Sequence, residues 1–212
     1  MLAVAILPLR KLFDAERQAT AARELQLRHE GRRQDFESRL HRAFEMAETE
    51  EAANDVVRRA VTVVLPGAPT ELLLADSSDA HLKCAVETGP EDNVGPRCGV
   101  ATPHGCPAIR RGQTLTFSSS EELDSCPHLR GRDYGACSAV CIPLNVAGRS
   151  VGVLHTVGPV NSPPQDEPVA RLEALATHGG ARLGMLRVME RTTLQAATDP
   201  LTGLLNRRSS RI

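Results

Sequence analysis

The sequence predicts an α+β protein in which an antiparallel sheet carries the N- and C-terminal helices on one face. Residues 137–158 give the strongest local signal, because two alternating β-branched runs flank the small turn Ala147-Gly148, as in an antiparallel hairpin. Segments rich in helix-favouring residues stand at both ends of the chain. This order of helix, strands and final helix favours an antiparallel α+β fold flanked by long helices.

The predicted hairpin has two unequal faces if its turn contains two residues. That turn pairs Val146 with Arg149, Leu144 with Val151, Ile142 with Val153, and Val140 with His155. We expect the covering helices on the face that these pairs form. The smaller residues of the opposite face are suited to line a pocket: Cys137, Ala139, Cys141, Gly152, Leu154 and Thr156. A three-residue turn would reverse the assignment for one strand.

Long helices are expected before and after the sheet. Residues 12–47 lack proline, and their apolar positions become regular from Phe36 onward. Thr49, followed by two glutamates, predicts a second helix that ends before Pro66. The last helix is predicted from residue 165 or 166 to 198. Its apolar seam has helical spacing and consists of Leu172, Leu175, Gly179, Leu183 and Leu186.

The middle of the chain alternates short strands with turns and one long loop. Residues 71–76, 81–88 and 113–117 have strand character. Residues 89–112 are rich in glycine, proline and cysteine, as in functional or mobile loops, with a helical turn predicted at 108–111. Serines followed by two glutamates predict a short helix over 120–125.

Composition restricts the function classes. A net charge of −1, no tryptophan and one tyrosine in 212 residues argue against nucleic-acid binding. Six cysteines in a chain of this size favour a reducing, cytoplasmic location. The apolar run at residues 1–9 is shorter than the roughly 20 residues of a membrane helix, so this chain is not expected to span a membrane. The alternative is the end of a membrane anchor that begins upstream of Met1.

Residues 36–189 resemble a GAF domain, the small-ligand sensor fold of signalling proteins. The resemblance depends on the order of helices and strands and on the hairpin, in which Cys141-Ile142-Pro143-Leu144 precedes a turn and a Gly-Val-Leu sequence at 152–154. It implies a sensory domain at 36–189, preceded by an N-terminal helix at 1–35 and followed by residues 190–212.

Residues 197–208 resemble the D-x-L-T-G-L-x-N-R-R opening of GGDEF domains, which make cyclic dimeric GMP from two GTP molecules. The resemblance implies that residues 190–212 are a linker helix and the start of such a domain. Since the chain ends at Ile212, the signature loop and the residues for Mg²⁺ and GTP have no counterpart in it. We therefore expect no cyclase activity from this polypeptide alone, because phosphoryl transfer needs carboxylate-held Mg²⁺.

Cysteines and one histidine are the candidate pocket residues. They are Cys98, Cys106, Cys126, His128 and Cys137 in loops, and Cys141 on the hairpin. The five loop residues are the candidate ligands for Zn²⁺ or an iron–sulfur cluster, and redox-responsive thiols are a further possibility. No C-x-x-C pair is present, and the alternative is that Cys84 and Cys141 are small buried hydrophobes. His155 is expected as a hydrogen-bonded core or sheet-edge residue rather than a ligand.

Three functions remain open from the sequence. The first is a regulatory domain that senses a small ligand, a metal or redox state and controls a cyclase through its last helix, within a homodimer formed by the terminal helices. The second is a dimerisation scaffold with an empty pocket. The third is an enzyme similar to the methionine-sulfoxide reductases that use a GAF-like fold, with Cys98, Cys106 and Cys126 as its thiols.

Overall fold

The computed structural model describes residues 6–89 and 98–197. The helices in this part of the chain are α1 (Ile6–Glu45), α2 (Glu50–Val64), α3 (Pro107–Arg111) and α4 (Asp166–Ala197). Its strands are β1 (Thr70–Ala75), β2 (Leu82–Thr88), β3 (Leu115–Phe117), β4 (Ser138–Val146) and β5 (Arg149–Gly158). The chain divides into two compact units, Met1–Arg39 and Leu40–Ile212, and the sheet belongs to the second.

The strands form one five-stranded sheet in the order β2-β1-β5-β4-β3. Every neighbouring pair is antiparallel. The predicted α+β class is therefore confirmed, and the predicted strands at 71–76, 81–88 and 113–117 correspond to β1, β2 and β3. β5 lies at the centre of the sheet, so His155 is an interior residue of the sheet and not an edge residue.

The hairpin turn is as predicted, but the register of the strands beyond it is not. Ala147 and Gly148 both have positive φ, as a two-residue hairpin turn requires, and Val146 pairs with Arg149. An irregularity between Leu144 and Asn145 then shifts the register by one residue. The observed pairs are Leu144 with Gly152, Ile142 with Leu154, Cys141 with His155, and Val140 with Thr156. The predicted pairs Leu144–Val151, Ile142–Val153 and Val140–His155 are wrong.

This shift exchanges the two faces of β5. Val140, Ile142 and Leu144 point towards the helices as predicted, but their neighbours there are Gly152, Leu154 and Thr156. We call this side the helix face. The opposite side, the loop face, carries Glu71, Leu73, Ala139, Cys141, Val153, His155 and Val157. The prediction that Val153 and His155 lie on the side that the helices cover is therefore wrong.

Helices α2 and α4 pack on the helix face. The Thr49 hydroxyl accepts a hydrogen bond from the Ala52 N–H at 3.1 Å, which confirms the predicted start of α2. Leu172, Leu175 and Leu183 of the predicted seam are at most 1% exposed. α2 and α4 therefore bury their apolar stripes on the same side of the sheet, as the sequence predicts for the helices that flank the strands.

Glycines in α4 bring the helix close to its neighbours. A Cβ at Gly180 would lie 3.5 Å from the Leu144 Cβ, and one at Gly184 would lie 2.9 Å from a Val146 methyl carbon. Arg187 adds a polar attachment, since its guanidinium donates to Glu50 at 2.6 and 2.9 Å and to the Ala75 carbonyl at 2.7 Å. Small residues and one arginine thus fix α4 against β4, α2 and the end of β1.

The short helix predicted over 120–125 is absent, and turns occupy these positions. The Ser125 hydroxyl donates to the Ser120 and Glu122 carbonyls at 2.6 and 2.8 Å, so it holds the segment in a tight loop. One-turn 3₁₀ helices occur instead at Pro103–Gly105 and Pro127–Leu129. Serine therefore acts through loop hydrogen bonds here and not as a helix cap.

The first helix, predicted at 12–47, corresponds to α1 (Ile6–Glu45), which begins and ends earlier than predicted. Residues 1–5 of the apolar N-terminal run and residues 198–208 of the GGDEF-like motif lie outside the described residues. Within the described part, no helix combines the length and the hydropathy needed to cross a bilayer.

Candidate functional site

The loop face of the sheet carries a nearly closed pocket, covered by the loops before and after β3. Four cysteines and two histidines contribute to its wall. The remaining lining residues are Val100, Pro107, Ala108, Leu115, Phe117, Leu129 and Val153. We call it the cysteine pocket. Its internal volume is about 10 Å³, which is enough for one water molecule.

Five of the six sequence-predicted site residues meet in this pocket. Its cysteines and histidines are Cys98, Cys106, Cys126, Cys141, His128 and His155. Cys137 lies instead beside an open groove with Tyr134 and Val157, where it packs in the apolar cluster around Leu129. Cys84 is exposed on β2, so the suggestion that it is a small buried hydrophobe is wrong.

His155 is fully buried at the base of the pocket. Its Nδ1 lies 3.2 Å from the Cys141 Sγ, and its Nε2 lies 3.5 Å from an Arg132 guanidinium nitrogen. Because a guanidinium only donates, Nε2 accepts and the ring proton is on Nδ1, facing sulfur. Burial, aided by the Arg132 charge, lowers the pKa of His155 to about 3. The ring is therefore neutral at physiological pH.

Glu71 is a buried carboxylate directly beside His155 on the loop face. It lies on β1, pairs with His155 in the strand register and is 3% exposed. Its Oε1 accepts a hydrogen bond from the Cys98 backbone N–H at 2.5 Å. A carboxylate oxygen of Glu71, the Cys98 Sγ and a ring nitrogen of His155 all lie within 4.8 Å of one another.

The sequence reasoning did not select Glu71 or His155 as site residues. Glu71 stands in a strand whose positions are all buried. An acidic residue within such an apolar run is unusual, and this is the signal that could have identified Glu71 from the sequence. His155 was assigned to the helix face because the register shift in the hairpin is invisible in the residue alternation. Both residues become candidates only when β1, β5 and β4 are aligned.

Burial favours the protonated form of three pocket thiols, those of Cys98, Cys106 and Cys141. It raises the pKa of Cys98 to about 11 and also raises the pKa values of Cys106 and Cys141. Neutral thiols are weak nucleophiles, so these side chains do not have the character of reactive cysteines. They are suited to packing or to binding a soft cation that replaces the thiol proton.

A second, open cleft of about 620 Å³ lies at the hairpin end of the sheet. Arg110, Arg111 and His104 line this cleft. Arg149 also lines it and forms an ion pair with Asp79. The cleft shares no lining residue with the cysteine pocket.

Solved structures provide the comparison for this fold, since no family model matches the sequence and a search of curated proteins returns no match. The GAF domain of a phosphoenolpyruvate-protein phosphotransferase from Coxiella burnetii has a TM-score of 0.58 at 15% identity, with 75% of this chain and 96% of that domain covered. A GAF domain/HD domain protein from Geobacter sulfurreducens gives 0.54 at 15% identity, with 68% and 98% covered. The chain has the GAF fold.

The same GAF fold is also found in an enzyme among the similar structures. Free methionine-R-sulfoxide reductase from Neisseria meningitidis, solved with its substrate, has a TM-score of 0.51 at 19% identity, with 74% of this chain and 91% of that chain covered. At such identities the likeness establishes the fold. The fold is shared by proteins of different function, so the function of this chain depends on the chemistry of its own pocket.

Proposed function

We propose that residues 36–189 form a regulatory sensor domain that receives its input in the cysteine pocket and transmits it through α4. The observation that carries this proposal is that β4 and β5 contribute side chains both to the pocket and to the surface on which the helices pack. Cys141 and His155 face the pocket, while their chain neighbours Ile142 and Leu154 lie on the helix face. A change in the pocket that moves these strands therefore also moves the surface on which α4 packs.

Tight packing supports this transmission. Gly180 and Gly184 hold α4 against Leu144 and Val146 without a side chain between them. Arg187 joins the same helix to Glu50 and to the end of β1. Since a closely packed interface changes by shifts of whole elements and not by local deformation, a displaced hairpin is expected to move α4.

The cyclase output is a further part of the proposal. It is supported by the GGDEF-like sequence of residues 197–208, which begins where α4 ends. We infer that α4 connects the sensor to a domain that makes cyclic dimeric GMP. The sensor differs from a scaffold in that the state of its pocket changes the state of this helix.

The reductase alternative is less well supported by the pocket. A sulfoxide substrate needs space beside a reactive thiolate, whereas the cysteine pocket has room for one water molecule. Burial also raises the pKa of Cys98 and Cys141, so their thiols are protonated at neutral pH. The pocket therefore favours sensing over thiol catalysis.

A thiol-modification experiment tests whether the pocket and α4 are coupled. Methyl methanethiosulfonate converts a thiol to a methyl disulfide and releases methanesulfinate, which adds a methylthio group where only a water molecule fits. Modification of pocket thiols in the Cys84→Ser variant is expected to increase amide hydrogen exchange in residues 166–193 by at least threefold, and a phosphine reductant should reverse it. Mass spectrometry identifies the modified cysteines.

Brief treatment of the wild-type protein supplies the matched control, since exposed Cys84 reacts first and its modification should leave exchange in α4 unchanged. Amide hydrogen exchange in α2, measured in the same experiment, shows whether the modification lowers the stability of the whole domain. Pocket modification with no change in α4 would favour the scaffold and contradict the sensor.

Dimerisation through the terminal helices stays a prediction. It is supported by three exposed apolar residues at helical spacing on α4, Met185, Val188 and Met189, which are 53%, 63% and 55% exposed. Light scattering is expected to give twice the chain mass for the wild type. The control variant Leu123→Glu changes an exposed leucine outside α4 and should also be dimeric. The Val188→Glu/Met189→Glu variant should be monomeric. A wild-type monomer at high concentration would refute the dimer.

A further inference from the structure

Glu71, Cys98 and His155 form a compact set of three different donor groups on the loop face. Each contributes one ligand atom, and the three atoms lie within 4.8 Å of one another. Glu71 and His155 are on adjacent strands in direct register, and the Glu71 carboxylate holds the Cys98 backbone N–H. Two strands and one loop therefore bring carboxylate, thiol and imidazole to the same place.

The spacing of these atoms is close to that of a metal centre. Zinc bonds of roughly 2.0–2.3 Å at tetrahedral angles place ligand atoms about 3.3–3.7 Å apart. Contracting the set from its present spacing requires side-chain rotation, for which the partly buried Cys98 has more room than the buried Glu71 and His155. The water-sized cavity beside Cys98 and His155 offers a fourth position, which a solvent molecule can occupy.

The donor chemistry selects a class of ion. Thiolate and imidazole disfavour Mg²⁺ and Ca²⁺, which prefer oxygen ligands, whereas Zn²⁺ accepts sulfur, nitrogen and carboxylate oxygen. The ligand charges also match the ion, since one thiolate, one carboxylate and a neutral imidazole offset the two positive charges of a divalent cation, beside the separate charge of Arg132. Burying a cation whose charge its ligands offset avoids the free-energy cost of an isolated buried charge.

We propose that Glu71, Cys98 and His155 bind a borderline divalent cation of the Zn²⁺ class. Binding forms bonds from the ion to one oxygen, one sulfur and one ring nitrogen, and the Cys98 thiol proton passes to solvent. This set differs from the ligands that the sequence predicts, and shares only Cys98 with them.

Metal binding at this position exchanges existing contacts of the imidazole. Nδ1 faces Cys141 of β4, and Nε2 faces Arg132, which also donates to the His128 carbonyl at 2.9 and 3.1 Å. The ion takes the place of one of these partners. Binding therefore alters either the hairpin or the loop that covers the pocket, which connects occupancy to the sensing elements.

The inference deepens the proposed function and rests on it for the meaning of the signal, but metal binding is measured separately. Zinc titration against a fluorescent chelator, in a phosphine reductant, is expected to show one equivalent bound by the wild-type chain. Cys98→Ser and Glu71→Gln should each weaken the affinity at least tenfold. Cys106→Ser, in the same pocket, and exposed Cys84→Ser are matched controls that should keep it within about threefold.

Cobalt provides a second readout that does not depend on affinity. Co²⁺ bound through a thiolate gives a sulfur-to-metal charge-transfer absorption, which should be present in the wild type and Cys106→Ser and absent in Cys98→Ser. Circular dichroism of each metal-free variant establishes that it folds. If Glu71→Gln does not fold, Cys98→Ser and Cys98→Ala decide the result.

Two outcomes would overturn the site. One is zinc affinity that is unchanged in Cys98→Ser. The other is affinity that is lost in Cys106→Ser, Cys126→Ser or His128→Gln but kept in Glu71→Gln. Zinc bound through the three residues without any change in α4 exchange would support the site and contradict the sensor, so the two proposals fail separately.

Discussion

Replacing Gly152 with alanine is expected to lower the free energy of unfolding by about 3 kcal/mol or more, which is a large part of the stability of an ordinary domain. A Cβ at this position would lie 2.4 Å from the Leu73 carbonyl oxygen and 2.8 Å from a Leu74 methyl carbon. The first of these is a backbone atom of the neighbouring strand β1, so it cannot rotate away. Urea unfolding followed by circular dichroism measures the loss.

Gly31→Ala is the matched control for this substitution. Gly31 lies inside α1, and a Cβ there meets nothing within 4 Å. The same added methyl group is expected to stabilise that helix by about 0.5–1 kcal/mol. A Gly152→Ala variant with the unfolding midpoint of the wild type would show that β1 and β5 can separate, against the register described above.

The second large effect is expected for Leu172→Ala. Leu172 belongs to the α4 seam and is 0% exposed, so truncation leaves a cavity between α4 and its neighbours. Such substitutions lower the free energy of unfolding by about 2–5 kcal/mol. The loss is also expected to increase hydrogen exchange along α4, because its attachment to the sheet depends on this seam.

Leu123→Ala makes the identical chemical change at a residue that is 98% exposed. Its unfolding free energy should stay within about 0.5 kcal/mol of the wild type, since no buried contact is lost. Equal stabilities for the two variants would mean that α4 does not pack as described. Urea midpoints with unchanged slopes distinguish a stability change from a change in the unfolded state.

Local chemistry explains the elements that the sequence predicted well. Thr49 caps α2, and Ala147-Gly148 adopts the left-handed turn, because each depends on the residues at that point and on little else. The seam of α4 was also predictable, since helical spacing places Leu172, Leu175 and Leu183 on one side whatever they contact. These local features are the reason why the predicted order of helices and strands agrees with the observed fold.

The candidate site was predicted only in part, because some of its residues are brought together by contacts between distant segments. The prediction selected residues by type and by loop position, and five of these six residues meet in one pocket. It did not select Glu71, which is 27 positions from Cys98 along the chain, because no pattern in either segment indicates the other. It also placed His155 on the wrong face, since one bulged residue reverses every side chain that follows.

The sequence by itself determined the α+β class, the Thr49 cap of α2, the hairpin turn and the apolar seam of α4, because each is a property of neighbouring residues. Only the tertiary structure decided that β1 lies beside β5, that the hairpin register shifts after its turn, and that Glu71, Cys98 and His155 meet. The physical reason is that strand partners and register are set by packing between distant segments. Residue alternation indicates that a strand has two faces but not which face receives the ligand.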